Sequence, residues 1–104
     1  MARYTVIWAD GFISKDGVGY DNQDLSWLPD DILVVQVMND GSADVEKGSR
    51  DTLTTTSNEE ISDINAVDWG GNISTTWQAA YDAEAAWMAA QQAEKAAEEA
   101  ESAA

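Results

Sequence analysis

The sequence has no cysteine and no histidine, one proline (Pro29) and only five basic residues in 104. Without cysteine there are no disulfides, thiolate metal sites or thiol nucleophiles, and without histidine the usual general base near neutral pH is missing. Most common catalytic designs go with them, so the sequence reads as a non-enzyme, and no residue is assigned a catalytic, cofactor or metal role. Long apolar runs are missing too. No stretch approaches the roughly 18 apolar residues of a membrane-spanning helix, and Met1-Ala2-Arg3-Tyr4 lacks the apolar core of a secretion signal. A soluble protein made in the cytoplasm, with no membrane partner, is expected.

Twenty acidic residues face the five basic ones, for a formal charge of −15. The imbalance runs through both halves, fourteen acids to four bases in residues 1–74 and six to one in 75–104. Such a surface repels phosphate, which argues against nucleic acid as a partner. An acidic mimic of nucleic acid would need carboxylates in regular rows, and here they are scattered among turns. Solubility is the simplest role for the charge. The last thirty or so residues are so rich in alanine that the packed part is about 70 residues, a size at which association often supplements the core.

The pattern along the chain predicts an α+β fold. A small, mostly antiparallel β-sheet head over residues 1–71 is followed by a long C-terminal alanine-rich helix over 72–104. Arg3–Trp8 reads as a strand, Asp10-Gly11 as a hairpin turn, Phe12-Ile13-Ser14 as its return, and Lys15-Asp16-Gly17 as a second turn. Gly17–Asp24 reads as a loop leading to the apolar knot of Leu25, Trp27 and Leu28, which Pro29 closes. Ile32–Met38 is the most apolar run and is expected to be the central strand, buried on both faces or nearly so. After Asp40-Gly41, a short polar strand is expected over Ala43–Glu46, and Lys47–Ser57 reads as an edge strand or an exposed loop. Asn58-Glu59-Glu60-Ile61 is expected to begin a helical turn with Ile61 and Ile64 inward, and Gly70-Gly71 to be a hinge.

Thr75-Thr76-Trp77-Gln78 matches a capping box, so the helix is expected from about Thr75. Trp77, Tyr81, Ala85 and Met88 recur at helical spacing as one apolar stripe, with Trp87 at its edge. Beyond Met88 helix propensity is high but nothing large remains to bury, and Glu98, Glu99 and Glu101 oppose the helix dipole. The last turns are expected to fray when the protein is alone.

Candidate ligand sites are weak. The loop from Asp16 to Asp24 gathers oxygen ligands and glycines but lacks the alternation and closing glutamate of a calcium loop, and turn chemistry explains the same residues. Gly17-Val18-Gly19 lacks the lysine and third glycine of a phosphate loop, and the adjacent pairs Asp30-Asp31 and Glu59-Glu60 point apart. The aromatics say more. Five tryptophans and three tyrosines exceed what so small a core usually hides. Trp8 and Trp27 are expected in the core; Trp69, Trp77, Tyr81, Trp87 and Met88 are the expected partner contacts. The alternative is that the helix folds back and packs Trp77 and Tyr81 onto the sheet.

The stretches Gly11-Phe-Ile-Ser-Lys-Asp-Gly-Val-Gly-Tyr20, Asp24-Leu-Ser-Trp-Leu-Pro29, Val34-Val-Gln-Val37 and Asn58-Glu-Glu-Ile61, then Trp77 opening an alanine-rich helix, form an ordered set. In this order they resemble small proteins encoded beside tail-fibre genes in tailed bacteriophages, cyanophages in particular. The resemblance spans roughly residues 1–88 and departs from the pattern at Val37, where an aromatic is expected, and over Lys47–Ser57. It implies a tail-fibre assembly chaperone or attachment protein acting through protein–protein contacts in the host cytoplasm. Its implied partner is a tail-fibre or other tail protein, with a homo-oligomer through the C-terminal helix as a further option. The alternatives are a permanent minor structural component of the virion tail and, ranked lower, an acidic inhibitor of a host protein.

Overall fold

Short runs of β-branched and apolar residues alternate with tight Asp- and Gly-containing turns, so each run folds back on the one before it. In the computed structural model, which describes residues 2–103, these runs form β1 (Tyr4–Ile7), β2 (Phe12–Lys15), β3 (Val18–Tyr20), β4 (Ile32–Val37), β5 (Ala43–Ser49) and β6 (Thr54–Ile61), followed by the helix α1 (Gly71–Ala103). Met1 and Ala104, the outer limits of the expected head and tail, lie outside the described residues, as does the side chain of Glu101. Short 3-10 turns occupy Trp8–Asp10 and Ile64–Ala66.

The six strands make one antiparallel sheet in the order β3-β2-β1-β4-β5-β6. It consists of two three-stranded meanders set back to back, and β1 meets β4 at the seam with Val6 opposite Val35. The α+β architecture expected from the sequence is thus present. Ile32–Val37 lies in the interior of the sheet, but it is covered on one face only: Val35 and Val37 are buried while Gln36 is exposed. Four other expectations change. The stretch after Gly17, expected to be a loop, contains β3, because Asp16 and Gly17, at φ 49° and 89°, make a two-residue turn that pairs Lys15 with Val18. Trp8 leaves the first strand for a 3-10 turn. The strand expected at Ala43–Glu46 runs on to Ser49. Asn58–Ile61 is the end of β6 rather than a helical turn, since its backbone pairs with Ala43–Glu46.

The covered face carries Val6, Ile13, Val35, Val37 and Val45, all at most 2 % exposed. Over them lie Leu25 and Leu28 from the connection between β3 and β4, Ile64, and Ile73 and Trp77 from the first turns of α1. Trp8 and Trp27 are only partly buried against this core. Arg50, at the end of β5, clamps that side of the sheet. It donates to the carbonyl oxygens of Pro29 and Ile32 at 2.7 and 3.2 Å, and its guanidinium lies 4.4 Å from the Trp8 ring centroid.

The pair Gly70-Gly71 is not a hinge. Gly70 is buried, and a Cβ placed on it would sit 1.8 Å from the carbonyl oxygen of Ile64, so the chain passes too closely there for any side chain. Gly71 faces open space and is already the first residue of α1. The helix therefore starts four residues before the expected capping box, and the Thr75 hydroxyl donates to the carbonyl of Gly71 at 3.1 Å instead of capping.

Two outcomes follow from these contacts. Gly70→Ala is expected to lower the stability of the fold by about 2 kcal/mol or more through overpacking, while Gly71→Ala is tolerated; chemical denaturation of both variants measures the contrast. Asp40 accepts hydrogen bonds from the hydroxyl and the backbone N–H of Ser42 at 2.6 and 2.9 Å, and these hold its carboxyl below the usual 3.8. A depressed carboxyl stabilises the fold above its unfolded value and loses that contribution as pH falls through the folded one. Asp40→Ala is thus expected to lower Tm near neutral pH, with the difference from wild type vanishing in strong acid.

Candidate functional site

Because β3 follows a two-residue turn, it places its Val18 carbonyl and the Tyr20 ring at one edge of the sheet, next to Lys15 on β2. Trp77 comes down on this corner. It is 7 % exposed, its indole N–H donates to Val18 O at 2.8 Å, and the Lys15 ammonium lies 4.9 Å from its ring centroid. Tyr20 meets the same ring at a tilt with centroids 6.1 Å apart. Tyr81, one turn on, stacks against Trp77 at 5.1 Å with 24° between planes. Partial burial, then the Glu84 carboxylate, pushes the Tyr20 hydroxyl pKa upward.

Past this corner the helix leaves the sheet. Every residue from Tyr81 to Ala100 is exposed, although α1 continues for 33 residues, about 50 Å at 1.5 Å per residue. The molecule measures 64 × 31 × 20 Å. Its radius of gyration is 18.0 Å, where a compact domain of this length has about 13 Å. On the free part, Trp87 is 62 % exposed, Met88 54 % and Tyr81 46 %. Met88 lies seven residues after Tyr81 and eleven after Trp77, so the stripe that docks the root of the helix continues unpartnered along the arm.

The five residues expected as partner contacts thus divide. Trp77 is an internal anchor and Trp69 is partly buried against the core, so the fold-back alternative describes the root of the helix. Tyr81, Trp87 and Met88 remain open; Tyr81 and Met88 lie nearly in line, while Trp87 stands about 100° round the helix from Met88. The division is hard to read in the sequence because it depends on β3, a strand of only three residues. The alternation in Val18-Gly19-Tyr20 directly after Asp16-Gly17 was the available signal.

Sequence reasoning also missed the uncovered face of the sheet. There Gln36, Asp44 and Glu60 stand side by side on β4, β5 and β6, and Val34, Glu46 and Asn58 form the next row. Together they line a shallow hollow of about 580 Å³. Asp44 and Glu60 are direct cross-strand neighbours of like charge, an arrangement that costs stability. Among the described residues no ion pair engages either of them; the paired bases are Lys47, with Glu59 and Asp31, and Arg50, with Asp30. No cluster of three or more metal-ligating side chains is found among the described residues. No described helix is long and apolar enough to cross a membrane.

No protein-family model matches the chain, and no curated protein or solved structure does.

The two tryptophans of the helix are expected to respond oppositely to truncation. Trp77→Ala removes a buried indole and is expected to cost roughly 3–5 kcal/mol, while Trp87→Ala is expected to stay within about 0.5 kcal/mol of wild type. Urea unfolding followed by circular dichroism measures both.

Proposed function

We propose that the chain is a non-enzymatic protein that works by contact with another polypeptide, as a tail-fibre assembly or attachment protein of a tailed bacteriophage. The observation that carries the contact reading is the exposed Trp87–Met88 pair on a helix that has already left its own sheet. Large apolar side chains on a solvated helix have nothing to gain from this chain. Full burial of either against a partner is favourable by about 2 kcal/mol, and aromatic anchors of this kind dominate protein interfaces.

The phage context comes from the resemblance carried by Gly11–Tyr20, Asp24–Pro29 and the alanine-rich helix opened by Trp77. In that context the arm covers apolar fibre surface until the fibre trimerises, while the acidic head keeps the complex soluble. The root of the arm is fixed by Trp77, so the contact residues are presented at a set distance from the head.

In the proposed setting, co-expression with a tail-fibre protein of the same phage is expected to raise the yield of soluble trimeric fibre, and Trp87→Ala combined with Met88→Ala to remove the gain. An unchanged yield with the intact chain would sink the assembly reading.

A further inference from the structure

We infer that the outer edge of β6 is a docking site for an extended segment of a partner protein, which joins the sheet as an antiparallel seventh strand and carries lysine or arginine at alternate positions. The inference concerns the head and stands apart from the contact reading of the arm. The two ends of the sheet are unlike. At one end β3 has three residues, and the Val18 carbonyl is taken by the Trp77 indole. At the other end β6 has eight residues, the longest strand of the six, and every residue from Thr54 to Glu60 is exposed. Among the described residues nothing pairs with its outer side. Sheets guard such edges with short strands, prolines or lysines, and β6 has none of these.

The backbone bonds fix which groups of β6 are free. Met38 N donates to Ser42 O at 2.8 Å, which starts an alternation along β5: Asp44 and Glu46 turn their backbone groups to β4, while Ala43, Val45 and Lys47 turn theirs to β6. Gly48 N points away from β6 again and donates to Asp31 O at 2.8 Å. On β6 the backbone groups of Ser57, Glu59 and Ile61 are therefore used, and those of Asn58 and Glu60 point outward. An antiparallel strand laid along β6 bonds to these two residues.

The side chains beside the free groups choose the occupant. Glu60 stands next to Asp44, and Asn58 next to Glu46, on the uncovered face. Among the described residues no ion pair engages Asp44, Glu46 or Glu60. The residues of an added strand that lie opposite Glu60 and Asn58 are two apart, so both project from this face, and basic side chains there meet the unpaired carboxylates. The residue between them projects from the other face beside Glu59, which Lys47 already neutralises. The fitting sequence thus alternates basic with uncharged residues. A second copy of this chain does not supply it: its β6 brings threonine, serine, asparagine, glutamate and one isoleucine, no cation, and a net charge of −15.

The test uses the full chain and short synthetic peptides of alternating threonine and lysine, followed by amide NMR and titration calorimetry. The alternating peptide is expected to bind, to shift the amide signals of Asn58 and Glu60, and to weaken as salt rises. A block isomer of the same composition is expected to bind at least about tenfold more weakly. Methylating the lysine backbone nitrogens, which face β6, is expected to abolish binding, while methylating those of the threonines, which face solvent, leaves it unchanged. Asp44→Asn with Glu60→Gln is expected to weaken the alternating peptide by about tenfold; both positions are exposed, and circular dichroism checks the fold. Trp87→Ala with Met88→Ala is expected to leave peptide binding intact, whatever that variant does to fibre yield. Equal affinity for the alternating and block peptides would overturn the inference, as would full binding of the lysine-methylated peptide, since charge alone would then hold it. Loss of binding in the Trp87→Ala/Met88→Ala chain would also overturn it by moving the site to the arm. A dimer of the chain alone, seen by sedimentation and lost on Asn58→Pro, which removes only an outward N–H, would do the same by making a second copy the occupant.

Discussion

The bond from the Trp77 indole to the Val18 carbonyl is the contact on which the shape of this protein depends. It is made between residues 59 positions apart, and it joins the root of the helix to a three-residue edge strand that is paired on its other side with β2 alone. Lys15, Tyr20 and Tyr81 gather on the same ring. With the root fixed there and Gly70 wedged against Ile64, the direction of α1 is set by two packed points, and the rest of the helix has no choice but to run past the sheet. The exposed position of Trp87 and Met88 follows from that direction.

Charge is divided as unevenly as packing. Four of the five bases are used within the head, on an aromatic ring, a methionine sulfur, backbone carbonyls or nearby carboxylates. The uncovered sheet face and the arm are left with carboxylates and almost no compensation. Uncompensated negative surface at −15 opposes close approach of two copies and favours a cationic neighbour. The acidic composition, which on its own says only that the protein stays dissolved, thus acquires a position-dependent meaning once the bases are located.

Much of the architecture was legible in the sequence. Ile32–Val37 declared itself by three valines between turn signals, and α1 by its alanine content and the four-residue spacing of Trp77 and Tyr81. What escaped was decided by tertiary pairing. Residues Thr54–Ile61 carry threonines and glutamates that suit a loop or a helix cap, and they become a strand because β5 offers a partner along its length. The helix begins at Gly71 and not at the capping box because Asn72 and Ile73 donate to Trp69 and Gly70, which builds an earlier first turn. The division of the aromatic set was illegible for a related reason: whether Trp77 is anchor or contact depends on β3, whose three residues carry almost no signal alone.

The back-to-back arrangement of the two meanders has a bearing on how the chain acquires its form. Hairpin pairings within each half close only short loops, while the β1–β4 seam must span the long connection that carries Leu25 and Leu28, at a greater entropic cost. During synthesis the N-terminal trio can close before β4 has left the ribosome, with the outer edge of β1 and the valine side of Val6 bare. That interval, rather than the finished sheet, is when this small protein most invites wrong strand partners.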